Sequence, residues 1–559
     1  MINFFELEEP DFCDYMPNQE MGYITLKPRY YKLTNFNEEK IFEQINTTLK
    51  KNPLISELVF RLVGNKDVDN LSMVLLQKLL SQNTKIVFLK LELMCLPGIT
   101  NSPELKICDF YQQICLFGQL LIKMPQVKGV KFCLKSSEDY FCDGVVSITK
   151  LVIEKILQDN KKITHIDFSN NQLAPEEINE IDSFLKQNAH IVYINLANAT
   201  LVTVIKNISE TIVNNKSIEH VNFNNTVMKP DEVINLGNML QNNKTIKSIS
   251  FCHRQTEVNI FSKKLSYVID ALKHNQNIFF LGLRNLEISD QKLPLRNFND
   301  VIVTTKITHL DIGGNYIDEE GLCELTGIFG NSKVTHLNLS CNRLETSSAD
   351  LCDRWTKQLS ENLQGSKTIT SLNINHCNIS DNGMEFLQNT FAQNQTITHL
   401  YIGNNTLTLK GAGVVKSLLT NNKNKIKEIS ISGCFGREEM WEFDHKSYMQ
   451  CIELIFKSLP GNKTLKKIIV DIPDPKDYPD VFKKFKLLVA THIVGQTKIT
   501  HIGPKNYFVK KHTQEIKTIL KYNELNSNRF FNSLGKIRDD GKNSNHNRLF
   551  DFRINLHRY

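Results

Sequence analysis

The chain has 559 residues, 41% of them hydrophobic and 23% charged, which is a globular composition. Its charge of +7 is uneven: residues 505–559 carry 12 Lys/Arg against 5 Asp/Glu, and the remainder balances at 55 of each. This is a neutral body with a basic tail, and no run reaches the roughly 18 apolar residues of a membrane span.

Residues 1–50 read as an N-terminal cap, with an amphipathic helix expected over Glu38–Leu49 after the capping signals Asn35 and Asn37. Apolar triplets at strand spacing follow: Ile55/Leu58/Phe60, Ile86/Leu89/Leu91 and Val127/Val130/Phe132. Their starts lie 31 and 41 residues apart, with 36 more to Ile163, so insertions are expected near Pro97-Gly98 and Ser136–Asp143.

From Ile163 the spacing settles, with starts at Ile191, Ile218, Ile246, Ile278, Ile307, Val334, Ile369, Ile397 and Ile426. More distant copies begin at Leu465 and Ile499, giving about fifteen units, irregular before 163 and after 430. Between strands the period changes to that of a helix: Ile178, Ile181, Phe184 and Leu185 share one face, as do Leu322, Leu325 and Phe329, and Met384, Leu387 and Phe391.

The motif is clearest in four copies: Lys306–Ile317, Lys333–Leu344, Thr368–Ile379 and Thr396–Leu407. Each fits L-x-x-L-x-L-x-x-N/C-x-L, the pattern of a leucine-rich repeat. The fold expected is an α/β leucine-rich-repeat solenoid over residues 51–504, flanked by the cap and by a basic cap and tail over 505–559. Strands would line its concave face and helices its convex face, because helices are wider than strands and the stack must bend. Residues 50–505 resemble ribonuclease-inhibitor-like leucine-rich-repeat proteins. The wording Lys-Ile/Val-Thr-His-Leu with a following Asn-Asn is further similar to Legionella-type leucine-rich-repeat effectors. That resemblance implies a bacterial protein acting on host proteins.

Thirteen cysteines form no C-x-x-C pair, and Cys377 and Cys434 stand where Asn171, Asn315, Asn342 and Asn405 stand in other units. Free structural thiols are therefore expected. Met1–Glu9 lacks the features of a secretory signal, so the working place expected is the cytoplasm, or a host cytosol reached without a signal peptide.

Side chains alternate along a strand, so the residues between the apolar positions face outward. One outward column runs His165, Tyr193, His220, Ser248, Phe280, His309, His336, Ser371, His399, Glu428; the next runs Asp167, Asn195, Asn222, Ser250, Gly282, Asp311, Asn338, Asn373, Tyr401, Ser430. A metal needs three or four convergent ligands, which a flat row of histidines does not supply. The asparagines at 171, 315, 342 and 405 are expected inside, holding backbone groups where the strand turns away.

No G-x-x-x-x-G-K-S/T, H-E-x-x-H or G-x-S-x-G motif is present, and Cys451, the last cysteine, lies within the repeats. The chain therefore reads as a non-enzymatic protein-binding module without cofactors. Lengthened units hold both tryptophans, and aromatic and Arg anchors favour binding. The expected partner footprint is His309, Asp311, His336, Asn338, His399 and Tyr401, with Trp355, Arg437 and Trp441 as anchors. Basic and aromatic residues of the tail offer a weaker contact for nucleic acid or anionic membrane. Two other readings are a GTPase-activating leucine-rich-repeat protein and an enzyme with a site in the irregular 90–150 region.

Overall fold

The computed structural model describes residues 5–8, 22–26, 42–43, 46–47, 55–62, 66–93, 107–133, 148–171, 173–199, 205–226, 230–251, 258–286, 288, 292–342, 349–421, 424–436, 444–473, 477–492 and 501–503. They form two compact units, one within Met1–Ile278 and one within Phe279–Leu549. The insertions expected near Pro97-Gly98 and Ser136–Asp143, the basic tail, and both Arg437 and Trp441 lie outside the described residues.

In the first unit the strands Gly22–Leu26, Ile55–Leu62, Phe88–Leu93, Gly129–Cys133, His165–Asp167, Tyr193–Asn195, His220–Asn222 and Ser248–Ser250 pair in parallel, each with the next. Phe5–Glu8 pairs antiparallel with Gly22–Leu26. The region read as a cap therefore contributes two strands. Residues 1–50 are not without the repeat: Met21, Ile24 and Leu26 stand at the triplet's spacing, as do Ile2, Phe5 and Leu7, and Ile24 and Leu26 pair with Leu58 and Phe60 of the next strand. Residues 42–43 and 46–47 are helical, within the helix expected there.

In the second unit Phe280–Gly282, His309–Asp311, His336–Asn338, Ser371–Asn373, His399–Tyr401, Glu428–Ser430, Lys467–Ile469 and His501–Gly503 pair in parallel in the same sequential way. A helix follows most strands, as in Asp381–Gln393 and Leu409–Thr420. Each strand buries its central residue: Leu310, Leu337, Leu372 and Leu400 are at most 2% exposed, while His309, His336 and His399 beside them are half-buried. The expected register holds. The helix faces hold too, with Ile178, Ile181, Phe184 and Leu185 buried in one unit and Met384, Leu387 and Phe391 in the other.

Two ladders of asparagines stitch successive repeats. In the first, the amide of Asn342 donates to the Ile312 carbonyl and that of Asn405 to the Ile374 carbonyl, each one repeat earlier. Asn315 reaches Leu283 at 2.6 Å in the same way, as Asn171 reaches Phe132 at 2.8 Å in the first unit. Where the sequence has cysteine, the thiol substitutes: Cys377 Sγ lies 3.3 Å from the Leu339 carbonyl and Cys434 Sγ 3.0 Å from that of Ile402. Burial pushes the Cys377 thiol up to about 12, so it stays protonated and able to donate. The eight cysteines whose side chains are described are free thiols.

The second ladder closes the helices. Asn394 Nδ2 donates to the carbonyls of Leu363 and Ser366, and its Oδ1 accepts from the amides of Thr396 and Ile397. Asn462 repeats this toward Leu419, and Asn215, Asn243 and Asn275 do so within the first unit. Helix C-termini leave carbonyls without intrahelical partners, and these amides satisfy them.

Turns after the strands need a left-handed residue, supplied by Asn170, Asn198, Asn225, Asn285 and Asn404, with φ of 53–62°. Asparagine tolerates this region better than most residues. Gly314 (φ +68°) also needs the space, since a Cβ there would lie 1.9 Å from Asn285 Oδ1.

Candidate partner-binding strand face

Six of the residues expected to form the footprint lie together. His309, His336, Ser371, His399, Glu428 and Lys467 occupy one row across six neighbouring strands, and Asp311, Asn338, Asn373, Tyr401 and Ser430 occupy the next. Neighbouring strands stand about 4.8 Å apart, so each row is a continuous line of side chains.

The first row begins with a stacked pair: the rings of His309 and His336 have centroids 4.0 Å apart and planes 10° from parallel. Each imidazole leans on the threonine before it, with Thr308, Thr335 and Thr398 Oγ1 lying 2.8–2.9 Å from Nδ1. Burial holds His309 and His399 below the usual histidine range. His336 is pushed down to about 4, first by burial and then by the neighbouring His309 and His399. The three imidazoles are therefore uncharged at neutral pH.

This shift makes stability depend on pH. The unfolded chain binds a proton at His336 near pH 6.5, whereas the folded chain resists it down to about 4. The stabilising contribution is complete above pH 6.5 and is lost as pH falls toward 4. A shift of this size corresponds to about 3 kcal/mol if the ring were wholly buried, and partial exposure reduces it to roughly 1–2 kcal/mol. Replacing His336 by Ser, the residue the row carries at position 371, should flatten the urea-unfolding stability profile over this interval by that amount. An unchanged profile would contradict the assignment.

The second row shows which members are already committed to the fold. Asp311 Oδ1 accepts from the Gly313 amide at 3.0 Å, Asn338 Oδ1 from Ser340 at 2.9 Å and Asn373 Oδ1 from Asn375 at 3.0 Å. The same turn is closed by Asp167, Asn195 and Asn222 in the first unit. Aspartate and asparagine recur there because their side chains bond the backbone two residues on. Asp311 also faces Arg284 at 3.6 Å.

Tyr401 breaks this rule. It cannot close the turn, and the Gly403 amide is instead taken by Asn375 Oδ1 from the preceding repeat. The Tyr401 hydroxyl donates to Glu428 Oε1 at 3.0 Å, and Lys467 Nζ lies 3.3 Å from the same oxygen. Burial and the Glu428 carboxylate push the phenol up, so it remains a donor. Tyr401, Glu428 and Lys467 form a polar cluster at the place where the repeat departs from its own wording. Glu428 and Lys467 were outside the footprint read from sequence, although Glu428 was legible as an interruption of the His/Ser row.

Trp355 requires a correction. It is 3% exposed, and its indole N–H donates to the Ile317 carbonyl at 2.9 Å. It fills the space between helix and turn in a lengthened repeat and offers no surface anchor. Among the described residues no group of three or more His, Cys, Asp or Glu side chains is placed to share a metal ion. Among them, too, no helix is long and apolar enough to cross a membrane.

Comparison with known proteins follows the same repeats. A family model described as Leucine Rich repeat matches residues 330–350, 365–387 and 393–414. The chain has a leucine-rich-repeat fold. Similar curated proteins include human NACHT, LRR and PYD domains-containing protein 14, 22% identical over 290 residues, covering 50% of this chain and 25% of that protein. Mouse NACHT, LRR and PYD domains-containing protein 5 is 24% identical over 239 residues, covering 42% and 19% respectively. The chain thus spans about a quarter or less of the length of these two leucine-rich-repeat relatives. Among solved structures, leiomodin-1 actin-binding site 2 aligns with a TM-score of 0.26 at 19% identity, covering 29% of this chain and 90% of that one. The Caenorhabditis elegans tropomodulin C-terminal domain aligns with a TM-score of 0.24 at 15% identity, covering 28% and 93%.

Proposed function

We propose that the chain is a non-catalytic protein-binding module that works as an adaptor or effector, engaging its partner through the strand face of the second unit. The observation carrying this reading is Tyr401. In the second row Asp311, Asn338 and Asn373 are committed to closing their turns, whereas Tyr401 surrenders that role and sits half-buried beside Glu428 and Lys467. A partly buried tyrosine among polar groups has the character of a binding hot spot.

The footprint proposed is His309, His336, His399 and Tyr401, with Asp311 and Asn338 supporting it from the turns. Its test is affinity for a partner captured by the full chain and then purified. Tyr401→Ala should weaken binding by about 2 kcal/mol or more. Tyr193→Ala, in the first unit, should leave it nearly unchanged. Asn195 is a poor control because it is 3% exposed and closes its own turn. A partner indifferent to Tyr401 and sensitive to Tyr193 would overturn this placement.

A further inference from the structure

Resting on that reading of the strand face, we infer that the face presents hydrogen-bond donors, its acceptors being consumed internally, and that it takes an extended acidic peptide segment. The Thr-His dipeptides supply the donors. The Phe279 carbonyl receives the amides of Thr308 and His309 at 2.8 and 3.0 Å. The Thr308 carbonyl receives those of Thr335 and His336, and the Thr370 carbonyl those of Thr398 and His399, at the same distances. A carbonyl oxygen has two lone pairs, and both are taken.

The threonine hydroxyls lie 3.1–3.2 Å from these same carbonyls, long for O–H···O, but only 2.8–2.9 Å from the histidine Nδ1 atoms. The hydroxyl proton therefore points at Nδ1, which accepts. A neutral imidazole then carries its proton on Nε2. Among the described residues nothing accepts from Nε2 of His309, His336 or His399, so three N–H donors are directed to the exterior.

The acceptors of the face have the opposite fate. Asp311, Asn338 and Asn373 each spend an oxygen on a turn amide, and Arg284 faces the second oxygen of Asp311. Glu428 Oε1 accepts from Tyr401 and is paired with Lys467. What remains for a partner is donors with little uncompensated negative charge. The near-parallel His309 and His336 rings set two N–H groups side by side, which suits the two oxygens of a carboxylate. An extended chain crossing the strands would meet a further donor at His399.

The probe is a fluorescein-labelled dodecapeptide of alternating Glu and Ser, compared with its Lys-Ser counterpart, on the full chain at neutral pH. The Glu-Ser peptide should bind, and the Lys-Ser peptide should not. The double variant His336→Ala/His399→Ala should weaken binding at least about tenfold, two charge-assisted hydrogen bonds being lost. In long-range proton–nitrogen spectra of 15N-histidine-labelled protein, these rings should carry the proton on Nε2. Thr335→Val, which keeps the shape of the side chain, should move the His336 Nδ1 signal alone.

A proton found on Nδ1, preference for the Lys-Ser peptide, or binding of neither would overturn the inference while leaving the Tyr401 result to judge the strand-face reading. Glu-Ser binding that survives both histidine substitutions would place the peptide elsewhere, on the basic tail, and would also overturn it.

Discussion

Asn405→Leu should cost about 3–5 kcal/mol of stability, one of the two largest effects expected in this chain. One buried side chain, 2% exposed, makes four hydrogen bonds there. Its Nδ2 donates to the carbonyls of Ile374 and Ile402 at 3.0 and 2.7 Å, and its Oδ1 accepts from the amides of Cys377 and Ile379 at 2.9 and 3.1 Å. Leucine fits the volume but strands both amides in the interior, and each unsatisfied group costs about 1–3 kcal/mol. Asn405→Cys should lose roughly half as much, because the thiols at Cys377 and Cys434 already reach the carbonyl of the preceding repeat. Urea unfolding would show both values. A leucine variant within about 1 kcal/mol of the parent would show that the ladder contributes little.

The second large effect is at Trp355. Truncation to Ala removes the largest side chain of a lengthened repeat and leaves the Ile317 carbonyl without its indole donor, for a loss of about 3–5 kcal/mol. Trp355→Phe should keep much of the packing and lose mainly the hydrogen bond, about 1–2 kcal/mol. Neither substitution should alter partner affinity of the folded protein, since the ring is interior. A Trp355→Phe variant with normal stability and weakened binding would restore the anchor role that its burial removes.

These two sites show what the sequence could and could not convey. Leu310, Leu337, Leu372 and Leu400 were legible because an alternating apolar pattern has only one register that buries it. The asparagine column was legible as interior because a polar residue at a fixed place beside apolar ones must bond the backbone. Trp355 was not legible, since a tryptophan in a long repeat can turn inward or outward, and only the position of the Ile317 carbonyl decides.

The functional rows divide in the same way. That His309, His336 and His399 align follows from the repeat; that each is held by its threonine depends on rotamers that composition does not fix. Asp311 and Asn338 resembled contact residues because they are polar and outward. Turn closure had already engaged their oxygens. Tyr401 drew notice as an aromatic, yet its stronger distinction is the turn it leaves to Asn375. The strands Phe5–Glu8 and Gly22–Leu26 escaped because their triplets, Ile2/Phe5/Leu7 and Met21/Ile24/Leu26, put Phe or Met at places where the other units carry aliphatic Ile, Leu or Val.

Histidine carbethoxylation read by mass spectrometry tests the central claim most directly, with the full chain alone and bound to its purified partner. Neutral, half-buried His309, His336 and His399 should react in the free chain and be protected together when the partner is bound. His165 and His220, on the first unit, should react alike in both states. Protection confined to His165 and His220, or none at all on the second unit, would contradict a partner seated on the strand face around Tyr401.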